Sequence, residues 1–310
     1  MKLYFAPLEG ITTYTYRNAH FEMFGMCDEY YAPFITPCEN EKLSIKNMRD
    51  ILPQNNSVKV KVQALANSGE AFVDFTKIIA ELGYDEINLN IGCPSSTVVK
   101  KGRGAGALRD VDKLDDFLNY IFENSRIKIS IKTRTGFYSH NEFDDLICVF
   151  GKYPVSELIV HPRIREEYYK ADPNMKSFDK AYRKCTSKLC YNGNIYCADD
   201  YQKIADGYPD LNSVMIGRGA IKNPAIFREI KGGAKLTTSE LVAFSNLLEK
   251  RYFALLDSDM YTLHKLKEIW IYAMQNYPSE NKILKAVKKS KKLIELNNAI
   301  NCLPEIIWES

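Results

Sequence analysis

The stretch GEAFVDFTKIIAELGYDEINLNIG, residues 69–92, contains the alternation on which the fold prediction rests. Its first part, residues 69–83, carries apolar residues at helical spacing and ends at a glycine, which predicts an amphipathic helix. Its second part, residues 85–92, is a short apolar run typical of a strand. A helix followed by such a strand is the repeating unit of a parallel sheet.

Eight short apolar runs of this kind recur along the chain, with helix-forming segments between several of them, such as residues 110–125. Eight βα units within about 230 residues favour a closed (β/α)8 TIM barrel over an open doubly wound sheet, which is the alternative architecture. The runs read KLYFAP, DEYYAPF, VKVKVQAL, DEINLNIG, IKISIKTR, ELIVHP, KLCYNG and NSVMIGRG.

The pattern changes after the eighth run. No further strand-like run follows, and residues 239–303 have the leucine, lysine and aromatic spacing of helices. Gly232 and Gly233 mark the expected hinge. We therefore expect a barrel domain at residues 1–235 and a small C-terminal α-helical domain at residues 236–310.

The composition is that of an ordinary folded protein, with 45% hydrophobic and 26% charged residues among 310. No apolar run approaches the roughly 18 residues of a membrane helix, and no secretory leader is visible, so we expect a cytoplasmic location without a membrane partner. The eight cysteines include no CxxC pair, which favours reduced thiols. None of the four histidines lies at zinc-ligand spacing, so we expect no structural metal.

Polar or small residues follow the predicted strands at seven places. Each of them alone is typical of a turn, a cap or a packing residue. The carboxyl ends of all strands in a TIM barrel meet at one face, where active sites form. The seven positions together therefore predict a site at that face. The seven positions are Ala6-Pro7, Gln63, Asn90 with Cys93, Lys132 with Arg134, His161 with Arg163, residues 192–194 and residues 217–219.

The motifs NGNI and MIGRG follow the seventh and eighth strands, where barrels often bind phosphate through backbone N–H groups. Glycine lets the backbone approach an anion, and Arg218 can neutralise its charge, which predicts a phosphorylated cofactor. Lys132 and His161, on strands five and six, could face the same ligand. A fixed positive charge there suits an electron-rich anionic ring, and a reduced flavin is such a ring.

The segment KILKAVKKSKK, residues 282–292, carries six lysines and no acidic residue. Two interpretations of it stay open. One is a basic patch that binds nucleic acid, and the other is a solvated helix face whose apolar side, with Ile283, Val287 and Ile294, packs on the body of the protein. The lysines expected on one helix face are Lys282, Lys285, Lys289 and Lys292.

Six motifs in this order, APLEGIT, NLNIGCPSSTVVKKGRGAG, IKTRTG, HPRIREEYY, NGNI and MIGRGAIKNP, resemble those of the flavin-dependent tRNA-dihydrouridine synthases. The resemblance covers about residues 3–227, and its most specific part is the Asn-x-Gly-Cys-Pro core. Glu9 and Thr13 differ from the residues that are most common at these positions in the family. Glu167 stands where glutamine is usual, and Ala171 where glycine is usual.

The resemblance implies an enzyme that reduces the C5–C6 double bond of specific uridines in tRNA to 5,6-dihydrouridine. NADPH, or NADH, would reduce FMN, the flavin N5 would deliver hydride to C6, and Cys93 would donate the proton to C5. A thiol with an ordinary pKa near 8.5 is mostly protonated at neutral pH, which suits this acid role. FMN would be held by Pro7, Leu8, Glu9, Gln63, Lys132, His161, Asn192, Gly193, Asn194, Gly217 and Arg218.

For the RNA, we expect Asn90 to face a flipped-out base and the loop after Cys93 to be mobile and hinged at its glycines. The basic patch would bind the tRNA backbone. The residues expected to contact substrate are Asn90, Lys100, Lys101, Arg103, Arg134, Arg163, Lys282, Lys285, Lys289 and Lys292.

Two other functions remain open at this stage. One is an FMN barrel oxidoreductase that acts on a small molecule, similar to the dihydroorotate dehydrogenases, and the other is a barrel that binds tRNA without catalysis. The synthase is favoured over these alternatives by the basic patch, the helical domain and the Gly-Cys-Pro motif. The sequence leaves open which uridine is modified, whether ribosomal RNA is the substrate, and the oligomeric state.

Overall fold

A computed structural model describes residues 1–37 and 43–306, in which eight parallel strands form a closed barrel. Each strand pairs with its neighbours in sequence, and β8 closes on β1, with Leu3 opposite Val214 and Phe5 opposite Ile216. The predicted (β/α)8 barrel is therefore confirmed, and the open sheet is wrong. The strands are β1 (Lys2–Phe5), β2 (Glu29–Tyr31), β3 (Val60–Ala64), β4 (Glu86–Ile91), β5 (Lys128–Gly136), β6 (Glu157–Ile164), β7 (Lys188–Tyr191) and β8 (Ser213–Ile216).

Helices connect the strands and cover the outside of the barrel. The helix predicted over residues 69–83 begins where the Ser68 side chain accepts a hydrogen bond from the Ala71 N–H, and Asp110 caps the helix predicted over residues 110–125 through the Lys113 N–H. Eight helices lie between consecutive strands: α1 (Tyr14–Met23), α2 (Ile45–Ile51), α3 (Gly69–Glu81), α4 (Ser96–Val99), α5 (Val111–Asn124), α6 (Phe143–Phe150), α7 (Met175–Lys184) and α8 (Ala198–Gly207). Two short helices, α9 (Arg218–Lys222) and α10 (Ile226–Ile230), follow β8.

Four further helices follow the barrel: α11 (Thr238–Leu256), α12 (Asp259–Ala273), α13 (Asn281–Lys289) and α14 (Leu293–Ile300). They pack beside the loop that follows β1. The Lys265 ammonium donates to the Gly10 carbonyl at 2.9 Å, and Phe244 meets Tyr16 edge-on with ring centres 5.4 Å apart. The C-terminal helices therefore border the carboxyl end of the barrel. The division into two domains at residue 235 stays a prediction.

The lysine-rich segment does not form the single helix that its spacing predicts. Helix α13 ends at Lys289, because Ser290 adopts an extended backbone, and its hydroxyl donates back to the Val287 carbonyl at 2.8 Å. Lys292 consequently lies at the start of α14, on a different helix from Lys282. Of the three apolar residues in the alternative interpretation, Val287 is completely buried and Ile283 packs against the core, whereas the side chain of Ile294 is 60% exposed.

In the described part of the chain, no helix is long and apolar enough to cross a membrane. Among the same residues, no group of three or more His, Cys, Asp or Glu side chains could hold a metal ion. Seven cysteines are free thiols, and Cys38 lies outside the described residues.

Trp270 tests the packing of the C-terminal helices. Its side chain is 2% exposed in the core, and its indole N–H donates to the Ser245 hydroxyl at 2.9 Å. Trp270→Ala should lower the free energy of unfolding by about 3–5 kcal/mol through the cavity it creates. Ser245→Ala, which removes only the hydrogen bond, should cost about 1 kcal/mol. Urea denaturation of both variants measures the difference, and equal losses would contradict the packing role of the ring.

Candidate active site

A pocket lies at the carboxyl end of the barrel, where the loops after β1, β6, β7 and β8 meet. It brings together Pro7, Leu8, Lys132, His161 and Arg218, which the sequence placed at separate strand ends. One helix of the C-terminal part, α12, closes the side of the pocket. The lining residues are Ala6, Pro7, Leu8, Lys132, His161, Arg163, Tyr169, Asn192, Gly193, Gly217, Arg218 and Tyr272.

The pocket carries unbalanced positive charge. Lys132, Arg163 and Arg218 line it, and its lining includes no aspartate or glutamate among the described residues. Burial, and then the neighbouring Arg134 charge, lower the pKa of Lys132 to about 8. Burial and the surrounding cations also hold the pKa of His161 well below its ordinary value, so its imidazole is neutral at pH 7. A pocket of this kind favours an anionic ligand.

The tautomer of His161 follows from its neighbour. The Arg163 guanidinium lies 2.6 Å from His161 Nε2. A guanidinium can only donate, so Nε2 accepts and the neutral ring carries its proton on Nδ1. His161 therefore has one N–H left, which can donate to an oxygen or nitrogen acceptor of a bound ligand.

The loops after β7 and β8 form a close cradle beside Arg218. The Asn194 side-chain oxygen accepts from both Arg163 and Arg218 at 3.1 Å, which fixes the two guanidinium groups side by side. A Cβ atom at Gly219 would lie 2.0 Å from the Ile195 carbonyl oxygen, so only glycine allows this approach of the two loops. The charges and the glycines together suit a phosphate group.

Cys93 lies just beyond the end of β4, in a turn held by Asn90. The Asn90 side-chain oxygen accepts from the backbone N–H groups of Gly92 and Cys93, each at 3.0 Å. The thiol is partly buried, and this burial raises its pKa, while the nearby charges of Lys132 and Arg134 act in the opposite direction. Cys93 is therefore a protonated thiol at neutral pH.

Part of the loop after Cys93 packs closely against the turn that carries the thiol, and the expected mobility of the loop stays a prediction. The Ala105 N–H donates to the Cys93 carbonyl at 2.9 Å, and Gly104, at φ +56°, lies so close that an added Cβ would be 2.9 Å from Cys93 Cβ. The glycines allow close packing here, and residues 104–106 are buried. Lys100 and Lys101 are exposed at the near end of this loop.

Arg103, at the same end, donates to the Asn67 side chain at 2.9 Å, and Asn67 in turn donates to the Lys101 carbonyl at 2.9 Å. These hydrogen bonds tie the loop after β4 to the loop after β3. Asn67 was not among the predicted residues, because only the packing of the two loops reveals it.

The pocket lining does not include Cys93 or five of the expected ligand contacts, Glu9, Gln63, Asn90, Arg134 and Asn194. Glu9 lines a neighbouring cleft with Lys46, Asp50 and Lys265, and burial raises the pKa of its carboxyl. Arg134 is 1% exposed, and its guanidinium donates to the carbonyls of Gly92, Ile164 and Tyr168 at 2.8–3.0 Å. Its donors therefore hold loops in place instead of facing an open surface. Gln63 and Asn90 are buried and bonded to each other, and the Asn194 side chain accepts from Arg163 and Arg218 beside the pocket.

The lysines of the segment 282–292 lie on the C-terminal helices, outside the pocket lining, and are exposed. Two lining residues were missed by the sequence. Tyr169 is 50% exposed, and its ring lies 4.6 Å from the Arg218 guanidinium carbon. Tyr272 reaches the pocket from α12. Tyr169 belongs to the motif after the sixth strand and could have been chosen for that reason, whereas no local signal marks Tyr272.

A family model described as dihydrouridine synthase matches residues 4–303 of the chain. A tRNA-dihydrouridine(16) synthase of Escherichia coli is 24% identical over 98% of this chain and 98% of its own length. A probable tRNA-dihydrouridine synthase of Staphylococcus epidermidis is 26% identical, over 72% of this chain and 70% of its own. A tRNA-dihydrouridine(47) synthase-like protein of Arabidopsis thaliana is 31% identical over 49% of this chain, which spans only 22% of that longer protein.

Solved structures share the barrel. Morphinone reductase superposes with a TM-score of 0.55 at 10% identity, over 75% of this chain and 86% of its own. Histamine dehydrogenase from a Rhizobium species gives a TM-score of 0.54 at 11% identity, over 79% of this chain and 49% of its own. At such low identity the likeness concerns the fold alone.

The protonated state of Cys93 can be tested by alkylation. The thiolate is the reactive form, so Cys93 should react slowly with iodoacetamide at neutral pH, with a midpoint above the ordinary thiol pKa of about 8.5. Lys132→Met should move the midpoint higher still, because the lysine charge favours the thiolate. Site-resolved mass spectrometry over a pH series measures both. A midpoint below the ordinary value would contradict the protonated thiol.

Proposed function

The chain belongs to the dihydrouridine synthase family, and from this premise we propose that it reduces the C5–C6 bond of specific uridines in tRNA, using FMN and either NADPH or NADH. The observation that carries the proposal is the cationic pocket at the carboxyl end of the barrel, close to a protonated thiol. The pocket suits an anionic, phosphate-bearing cofactor. The thiol suits proton donation to a substrate.

The pocket residues fit FMN in two parts. The phosphate would be held where the glycine cradle lies beside the paired guanidinium groups of Arg163 and Arg218. The residues that would hold it are Gly193, Asn194, Gly217 and Arg218. The ring system would be contacted by Pro7, Leu8, Lys132 and His161. The Lys132 ammonium and the His161 Nδ1–H would donate to acceptor atoms of the ring. When bound and reduced by NADPH or NADH, the flavin supplies the hydride. Gln63 would contribute one further hydrogen bond.

Cys93 would supply the proton that completes the reduction. Addition of hydride to C6 leaves an enolate-like charge on the uracil ring, and the S–H of Cys93 would transfer its proton to C5 while the sulfur keeps the electron pair. Lys132 and Arg134 lie close enough to stabilise the resulting thiolate. Asn90 would hold Cys93 in the required position through the two backbone N–H groups.

The RNA would reach this site with its target base flipped out of the stack. We assign the phosphate contacts to exposed lysines in two segments of the chain. Lys100 and Lys101 lie in the loop that follows Cys93, and Lys282, Lys285 and Lys289 lie on α13, with Lys292 at the start of α14. In this proposal residues 1–235 are the catalytic domain, residues 236–310 bind RNA, and the protein acts on tRNA in the cytoplasm.

The decisive test is the mapping of dihydrouridine in RNA from cells that lack this protein and from cells complemented with it. One or more uridines of tRNA should be reduced only in the complemented cells. The same map includes ribosomal RNA, so it identifies the substrate. Rapid reoxidation of the reduced protein by a free pyrimidine acid, with none by unmodified tRNA, would instead favour a small-molecule oxidoreductase.

Cys93→Ala tests the proton donor. The variant should keep its FMN and its reduction by NADPH, because the thiol takes no part in either. Uridine reduction should fall by about 10²- to 10⁴-fold, the usual contribution of a general acid. Stopped-flow reduction followed by mixing with unmodified tRNA measures the two half-reactions separately. Full dihydrouridine formation by the variant would exclude Cys93 as the acid.

Replacement of the basic residues tests the RNA surface. With Lys282, Lys285, Lys289 and Lys292 all changed to Gln, tRNA affinity should fall, and the slope of its salt dependence should flatten by about one unit for each lysine that neutralises a phosphate. The matched control changes four exposed lysines on the outside of the barrel, Lys59, Lys77, Lys113 and Lys203, to Gln. Equal effects of the two sets on tRNA binding at several salt concentrations would show that only net charge matters.

A further inference from the structure

Four buried polar side chains form a connected row across three neighbouring strands. Gln63 on β3 stands opposite Asn88 on β4, and Asn88 stands opposite Ser130 on β5. Their side chains are completely buried, and Asn90, two residues beyond Asn88, is 7% exposed. Buried polar groups are costly unless they are hydrogen-bonded, and each of these four has a partner in the row.

The row is a chain of hydrogen bonds with known distances. Asn90 Nδ2 donates to Gln63 Oε1 at 2.8 Å, and Gln63 Nε2 donates to Asn88 Oδ1 at 2.7 Å. Asn88 Nδ2 then donates to the Ser130 hydroxyl oxygen at 3.0 Å. At its other end, Asn90 Oδ1 accepts from the backbone of Gly92 and Cys93. The row therefore connects the barrel core to the turn that carries Cys93.

The direction of this chain is set at the Cys93 end. A backbone N–H can only donate, so the Asn90 atom that faces the two N–H groups must be its oxygen. Its amide nitrogen then faces Gln63, which must present its oxygen there and its nitrogen to Asn88. Asn88 in turn accepts from Gln63 and donates to Ser130. The Ser130 hydroxyl can accept or donate, so it adapts to this order and does not impose it.

The fixed direction determines what the row offers to a ligand. Both lone-pair positions of Asn90 Oδ1 are used, so the remaining hydrogen-bonding group of this side chain is one N–H. Gln63 keeps one N–H and one lone pair of Oε1, but its side chain is completely buried. A carbonyl oxygen is the natural partner for an N–H donor. Uracil has a carbonyl at C4, where cytosine has an amino group that would leave a donor facing a donor.

We propose that Asn88 is a positioning residue that, with Ser130 and through the buried Gln63, holds the Asn90 amide so that it presents its N–H to a ring carbonyl and keeps Cys93 in its turn. The proposal rests on the proposed function for the identity of that ring, a uracil. Asn88 itself does not contact the ring in this scheme. It acts through Gln63, whose Nε2 would otherwise lack its buried acceptor.

The test compares Asn88→Leu with Asn88→Asp. Leucine removes both hydrogen bonds while keeping the same number and branching of side-chain heavy atoms. Aspartate keeps an acceptor towards Gln63 in either protonation state, because Ser130 donates to the carboxylate or accepts from the carboxylic acid. Asn88→Leu should shift the visible absorbance of the bound flavin and raise the alkylation rate of Cys93 several-fold. It should lower the rate of uridine reduction about tenfold or more, while the KM for tRNA stays within about twofold of the parent value. Asn88→Asp should recover most of each change.

Thr76→Val is the control for the loss of a buried hydrogen bond elsewhere, since the Thr76 hydroxyl donates to Val73 within α3. It should leave the flavin spectrum and Cys93 alkylation unchanged. If Asn88→Leu does not fold, Ser130→Ala removes only the last bond of the row and should give the same changes in weaker form.

The outcomes separate the two proposals. The positioning role would be overturned if the flavin spectrum, the Cys93 alkylation rate and the uridine reduction rate of Asn88→Leu were close to those of the parent. It would also be overturned if Asn88→Asp changed these three quantities as much as Asn88→Leu does. If Asn88→Leu cannot be purified, the absence of any effect of Ser130→Ala would overturn it. If the parent binds flavin but reduces no uridine, the proposed function fails, while the spectral and alkylation readouts still decide whether Asn88 positions Gln63 and Cys93.

Discussion

The backbone hydrogen bonds that join β8 to β1 close the barrel, and the position of each functional side chain follows from that closure. In a closed parallel barrel all carboxyl strand ends meet at one rim. Residues as distant in sequence as Pro7 and Arg218 consequently line one pocket. The pairing of β3 with β4 and of β4 with β5 places Gln63, Asn88 and Ser130 opposite one another in a single row. The pocket, the turn that carries Cys93 and the polar row thus all depend on the strand pairing of the barrel.

Much of this arrangement could be predicted from the sequence, because strand runs and strand ends are local features. The eight strands and most pocket residues follow from short apolar runs and from the polar residues that end them. Side-chain direction is different, since it depends on packing. Glu9 follows β1 as Pro7 and Leu8 do, yet it lies in the neighbouring cleft. Tyr272 enters the pocket only because α12 packs beside the barrel, a long-range contact that no local pattern announces.

The lysine segment shows a second limit of prediction. Its spacing fits one continuous helix, and neither glycine nor proline interrupts it. The helix nevertheless ends at Lys289, where the Ser290 hydroxyl bonds to the preceding turn. Serine is only a weak signal for a helix end, so the break is decided by packing rather than by propensity. The charges remain exposed, but they are divided between two helices.

Arg134 joins two parts of the site that are far apart in the chain. One of its nitrogens holds the Gly92 carbonyl, in the turn that carries the thiol, and the other two hold Ile164 and Tyr168, in the segment that leads to Tyr169. The side chain is buried, so these bonds are protected from water. The two segments are therefore mechanically coupled. During evolution, a change in the segment that carries Tyr169 would therefore also shift the turn that carries Cys93, so we expect substitutions in the two segments to be coupled.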